Sequence, residues 1–215
     1  MNQTVKPRRR PLQSRAWMTS GAIQDAFVLL LVEHGYDKVT MREIAAVAGV
    51  GLGTLYLYFP GKDSIAAVTV RAWLRRVAAN VAAAKPAPPC TLAQTIHALV
   101  AAHARALLDR SAESRALLLV ERRISSADSY REIYREFVAQ FGEALVAASD
   151  WPVALDARRI AFTAFSIVDA VVEQALLVQE PCPAVDDIVA DIECAVAGYI
   201  RAAAHACTHS ACRPA

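Results

Sequence analysis

The stretch TMREIAAVAGVGLGTLYLYFPGK, Thr40 to Lys62, decides the fold. From Ile44 to Gly61 it carries no charged residue, it has glycines at 49, 51 and 53, and it closes on Tyr-Leu-Tyr-Phe-Pro. Thr40-x-x-Glu43 is a capping box: the threonine oxygen serves the amide near residue 43 and the glutamate reaches back, so a helix starts here. Ile44, Ala45 and Ala48 fall on its inner face, and Gly49 supplies the left-handed residue that stops it. A second short helix follows at about Gly51 to Tyr58. Two short helices joined by a tight glycine turn make a helix-turn-helix. Val50, Leu55 and Phe59 would lock the unit inward, which accounts for the apolar content.

That packing leaves Leu52, Gly53, Thr54, Tyr56 and Leu57 facing outward on a helix without an acidic residue. Such a surface does not repel phosphates. Its glycines permit close approach to a backbone, and tyrosine offers a ring for sugar or methyl contact and a hydroxyl for phosphate. Lys62 adds a cation at the start of a fourth helix. The triplet Gly49-Val-Gly51-Leu-Gly53 invites comparison with a dinucleotide-binding loop. That motif needs glycine at position 54, where Thr54 stands, and needs a preceding strand rather than a helix.

Ahead of this stretch, Ile23, Ala26, Phe27, Leu30 and Leu31 recur at helical spacing. A first helix is expected from Thr19 or Ser20, either a good cap, to Gly35. Residues 1–18, with KPRRRP at Lys6–Pro11, read as a flexible basic arm that can reach phosphates or a minor groove. The fourth helix is expected to run from Lys62 to about Ala84, where KPAPPC breaks it.

The whole chain has 215 residues, 55% of them hydrophobic, and a formal net charge of +2. Alanine-rich composition without strand-like alternation predicts an all-α protein with ample core. The charge is uneven: residues 1–80 carry 11 basic and 5 acidic side chains, and the remainder 12 and 16. A basic front and an acidic back imply two jobs, the front suited to a nucleic-acid backbone. Five cysteines at 90, 182, 194, 207 and 212 lack zinc-ribbon or C-x-x-C spacing and read as reduced thiols in a cytoplasmic protein. His205, Cys207, His209 and Cys212 are soft ligands in an expected frayed tail, 207–215, and no metal or cofactor is expected. No signal-peptide pattern opens the chain. The uncharged runs Ile44–Gly61 and Pro86–Ala104 are broken by glycine, proline or polar residues, so neither reads as a membrane span. The zinc-protease, P-loop and G-x-S-x-G signatures of enzymes are missing from the sequence.

The run EHGYDKVTMREIAAVAGVGLGTLYLYFPGKDSI resembles the DNA-binding region of the TetR family of transcriptional repressors, over about Ile23–Val68. Gly35-Tyr36, Thr40, Arg42 to Ala45, Ala48 to Val50, Gly53 to Tyr56, Tyr58-Phe59 and Lys62 carry the likeness. The resemblance implies an N-terminal three-helix helix-turn-helix domain (residues 19–68) and a larger helical ligand-binding and dimerisation domain (85–206). It implies a homodimer on an inverted-repeat operator of double-stranded DNA, released by a small, largely apolar effector. Carried over residue by residue, Arg42, Leu52, Gly53 and Tyr56 would meet base edges, while Thr40, Thr54, Tyr58 and Lys62 would meet phosphates. Gly51 stands where the family often has serine or threonine, and Leu57 where it often has a polar or aromatic residue, so cap and contact both change there. The competing reading is a helical ligand-binding or protein-interaction module whose helix-turn-helix serves packing alone.

Beyond Cys90, helical runs are expected at Leu92–Leu108, Ser114–Ile124, Tyr130–Ala148, Asp156–Gln179 and Asp186–Ala204. The last two are apolar on more than one face, which calls for more than one partner. Phe165, Val168, Val172, Leu176, Ile188, Ile192 and Val196 are the expected dimer seam. A pocket between helices would draw on His97, His103, Tyr134, Phe137, Phe141, Phe162, Phe165 and Asp169. The charged run at Glu121–Arg123 reads as a surface turn.

Overall fold

The computed structural model describes residues 11–211, with side chains from 16 to 208. Among the described residues the chain forms helices alone: α1 (Pro11–His34), α2 (Met41–Val47), α3 (Leu52–Tyr58), α4 (Lys62–Ala83), α5 (Leu92–Leu108), α6 (Ser111–Ile124), α7 (Ala127–Val146), α8 (Ala157–Val178) and α9 (Val185–Ala211). The all-α expectation holds. Residues 1–10 and 212–215 lie outside the described part, and with them most of the expected basic arm and Cys212.

Two boundaries differ from expectation. Helix α1 starts at Pro11, so residues 11–18 are helix rather than arm. Proline at a helix's first position loses nothing, because that amide has no intrahelical acceptor and the ring's φ already suits a helix. Helix α9 runs on to Ala211, past the point where a frayed tail was expected.

The other ends follow the local chemistry. Thr40 caps α2: its side chain accepts from the Glu43 amide at 3.3 Å, and its own amide donates to Glu43 Oε2 at 2.9 Å. Gly35 and Gly49, at φ 76° and 66°, turn the chain after α1 and α2. Thr91 and Gln94 repeat the capping box at α5, and Asp156 caps α8 through the amides of Arg158 and Arg159.

The chain divides into two compact units. One runs through Arg71 and includes residues 116–124; the other holds residues 72–115 and everything from Ser125. The division therefore falls inside α4 and α6 rather than at the proline-rich segment after residue 85. In the first unit Ile23, Phe27, Ile44, Leu55 and Ile65 are fully buried and knit α1 to α4 together. In the second, α5, α7, α8 and α9 pack on one another around Leu99, Phe165, Val168, Leu176 and Ile192. Helix α8 is long and apolar enough to cross a membrane by composition, but one face of it is this core.

Candidate nucleic-acid interface and effector region

Helix α3 buries one side chain, Leu55, and turns the rest outward. Phe59, just past its end, is the second anchor, 5% exposed. Around those anchors Leu52, Tyr56, Leu57 and Tyr58 stand 36%, 52%, 86% and 38% exposed. Gly51, Gly53, Thr54, Thr40 and Arg42 are exposed as well. Apolar side chains are normally scattered singly over a surface; a contiguous set on one short helix marks a contact face. Apart from the helix's own backbone, no atom of the described residues lies within 4 Å of the position a methyl group at Gly53 would take, so a flat surface can approach α3 there.

Two of the expected phosphate contacts have partners within the chain. The Thr40 hydroxyl donates to Glu43 Oε2 at 2.7 Å while it caps α2, so Thr40 is committed to the helix start. These bonds hold the Glu43 carboxyl below its usual value. Lys62 is half-buried, and its ammonium donates to the Tyr36 carbonyl at 2.7 Å and lies 4.4 Å from the centre of the Tyr36 ring.

Sequence reasoning missed the residues that hold Lys62. The Tyr36 hydroxyl donates to the Asp63 carboxylate. Burial first, and then that acceptor, raise the tyrosine's pKa. Arg123 places its guanidinium 5.0 Å from the Tyr36 ring centre and pairs with Asp37 at 2.7 Å. The Glu121–Arg123 run is thus the last turn of α6, not a surface turn, and Glu121 is buried. Only the Gly35-Tyr36 pair hinted at this cluster, because its members are far apart in sequence.

In the second unit, seven of the eight expected pocket residues come together. His103 lies edge-on to Phe137 and Phe165; Phe165 stacks on Phe137 and meets Phe141 and Tyr134; Tyr134 meets Phe162. His103 is 2% exposed, and its Nε2 is 3.3 Å from Asp169 Oδ1. The contact is off the line of a hydrogen bond, and neither ring nitrogen has a hydrogen-bond partner among the described residues. His97 is the exception: it is on the surface, with Nδ1 2.6 Å from Glu193 Oε1.

The expected dimer seam is not on the surface. Phe165, Val168, Val172, Leu176, Ile188, Ile192 and Val196 are all buried within the single chain. Periodicity finds the most apolar face of a helix, and here that face serves the chain's own core. The outer faces of α8 and α9 carry instead Ala170, Val171, Gln174 and Val178, and Ala190, Cys194, Ala195 and Ala202.

A buried-core helix-turn-helix with an exposed, uncharged third helix is joined to a second all-helical unit, the architecture of a DNA-binding domain followed by a larger helical domain. Residues 23–69 match the family model of bacterial regulatory proteins of the tetR family. No curated protein matches the sequence. Solved structures share the fold: the fatty acid degradation regulator FadR from Bacillus halodurans is 20% identical, with a TM-score of 0.69 over 88% of this chain and 96% of that one. A transcriptional regulator from Pseudomonas aeruginosa PAO1 is 20% identical, TM-score 0.71, over 92% and 95%. The SmeT–triclosan complex is 21% identical, TM-score 0.62, over 82% and 90%. The match to the tetR family model is confined to residues 23–69, and the likeness over the rest of the chain is one of fold.

Proposed function

We propose that the protein is a homodimeric repressor that binds an inverted-repeat operator in the cytoplasm and is released by a small, largely apolar effector. It acts by binding rather than catalysis. The observation that carries this reading is the outward apolar face of α3, Leu52 to Tyr58, on a helix with no acidic side chain. Leu52, Gly53, Tyr56 and Leu57 would lie against base edges and methyl groups, with Arg42 reaching a guanine edge. Thr54, Tyr58 and the free N–H of Lys62 would take phosphates, and the extended α1 would carry the basic arm toward the duplex.

The outer faces of α8 and α9 are the proposed dimer surface, since small side chains at 190, 194, 195, 198 and 202 allow close helix approach. Helices α4 and α6 each belong to both units and are the covalent routes from effector to α3. An effector releases DNA only if it binds one conformation of the dimer better than the other. SmeT, which shares the fold, forms a complex with triclosan.

The test is fluorescence anisotropy of the full chain against tiled DNA flanking its own gene, at several salt concentrations. One tight fragment holding an inverted repeat, with affinity falling steeply as salt rises, is expected. Equal, weak binding to every fragment would favour the packing-only reading.

A further inference from the structure

Helices α7 and α8 leave an open groove of about 980 Å³ between them, adjoining the aromatic cluster around His103 and sharing Tyr134 and Phe162 with it. Gly142 and Ala161, both in its lining, let the two helices approach closely: a methyl group on Gly142 would sit 3.1 Å from that of Ala161. Its walls are apolar, with Tyr130, Tyr134, Val138 and Val146 spaced four or eight residues apart along α7, and Phe162, 55% exposed, on α8. Exposed aromatic and aliphatic side chains around a concave surface are the ordinary makings of a small-molecule site.

The rim decides the charge of the occupant. It carries Arg131, Arg135 and Arg158 against one carboxylate, Glu143. Glu143 is paired with Lys85 at 3.2 Å, and Arg131 with Asp128 at 2.6 Å. Arg135 and Arg158 are exposed, and among the described residues their side chains have no ion-pair or hydrogen-bond partner. Guanidinium groups favour carboxylates and other planar or tetrahedral anions, which accept from two N–H groups at once.

We propose that this groove is the effector site and that it takes an amphipathic organic anion, its apolar body along α7 and its acidic head between Arg135 and Arg158. This rests on the ligand-responsive reading above and adds to it the place and the chemical class.

Calorimetric titration of the full-length chain with decanoate, decanol and decyltrimethylammonium tests it. Decanoate is expected to bind once per chain, at least ten-fold more tightly than either analogue, and more weakly as salt rises. The double variant R135A/R158A should lose at least ten-fold for decanoate while leaving decanol unchanged. Ala139, exposed on the groove wall, gives a blocking variant: A139W should abolish binding with an unchanged thermal melt. Equal binding of the three amphiphiles, or decanoate binding that survives A139W, overturns the site. So does a shift of A139W from dimer to monomer in sedimentation, since the groove would then be covered by a second copy. Operator release is read separately: decanoate that binds in the groove without releasing DNA keeps the site and removes the effector-release reading. Release that persists in A139W places the effector elsewhere.

Discussion

Arg123 lies over the ring of Tyr36, its guanidinium carbon 5.0 Å from the ring centre, 87 residues further along the chain. With Lys62 over the same ring and Asp63 on its hydroxyl, this contact fastens the end of α6 to the loop between α1 and α2 and to the start of α4. An exposed cation–π contact contributes about 0.5–1 kcal/mol, and the Arg123–Asp37 pair, exposed on both sides, adds little. Arg123→Ala is therefore expected to lower stability by about 1 kcal/mol in denaturant unfolding, with little change in direct operator contacts. Tyr36→Leu, which removes the ring from both cations, should cost more than Arg123→Ala. Equal costs would mean that the ring does not organise the cluster.

Gly53 separates stability from DNA binding. It has ordinary helical backbone, and a methyl group there would meet no atom within 4 Å. Gly53→Ala should stabilise the protein by up to about 1 kcal/mol through helix propensity. If α3 lies in the major groove, the same methyl group stands between helix and base edges, and operator affinity should fall. A variant that is both more stable and equally tight on DNA would place the interface elsewhere. Gly49 is the counterpart: a methyl group there also meets nothing, but its φ of 66° is left-handed. Gly49→Ala should cost about 1–2 kcal/mol by backbone strain alone.

Arg42 and Lys62 should fail differently. Arg42 is exposed and its side chain has no hydrogen-bond or ion-pair partner among the described residues, so Arg42→Ala is expected to lose about 1–3 kcal/mol of operator affinity and relax preference at one base pair, with the melting temperature unchanged. Lys62→Ala should weaken binding to all DNA similarly and also lower stability, because its ammonium holds the Tyr36 carbonyl. Anisotropy beside thermal melting distinguishes the two.

What the sequence made legible follows a simple division. The α2 capping box, the glycine stop at 49 and the split of α3 into buried Leu55 and exposed Leu52, Tyr56 and Leu57 depend on neighbours within four residues. Local pattern suffices for those. The Tyr36 cluster draws on residues 36, 37, 62, 63 and 123, and no spacing rule connects them. The α7–α8 groove lay between the two cases. The spacing of Tyr130, Tyr134, Val138, Gly142 and Val146 is a single stripe on α7, readable from the sequence, but it reads equally as buried core until Gly142 is seen to bring α8 close. The dimer seam failed for the same reason in reverse: Val168 and Ile192 looked like a partner's face and serve the chain's own interior.

Acid should act on the α2 start. Thr40 holds the Glu43 carboxyl below its ordinary value of 4.5, so the capping box contributes fully above that pH and is lost as pH falls through the lower folded value. Protection of the Glu43 amide, measured against the intrinsic exchange rate at each pH and higher near neutrality than in a Thr40→Ala variant, is expected to fall once the carboxyl is protonated. Glu43→Gln should keep the Thr40 cap while removing this acid-dependent step, because an amide oxygen can still accept from the Thr40 amide and does not titrate. An acid step of the same size in Glu43→Gln would trace the pH dependence to another carboxylate.

His103 offers the sharpest contrast between core and function. It is enclosed by Phe137 and Phe165, with its ring nitrogens unbonded and Asp169 at 3.3 Å. A buried polar group without a hydrogen bond costs about 1–3 kcal/mol, so an apolar replacement of similar size relieves that cost. His103→Leu is expected to hold or raise the melting temperature despite the lost ring contacts. If effector binding reaches past Tyr134 and Phe165 to this histidine, the same variant should lose the effector response while keeping operator affinity. A melting temperature that drops sharply in His103→Leu and is restored in the double variant with Asp169→Asn would instead identify the pair as an ion pair retained for stability, since removing one partner strands the other charge.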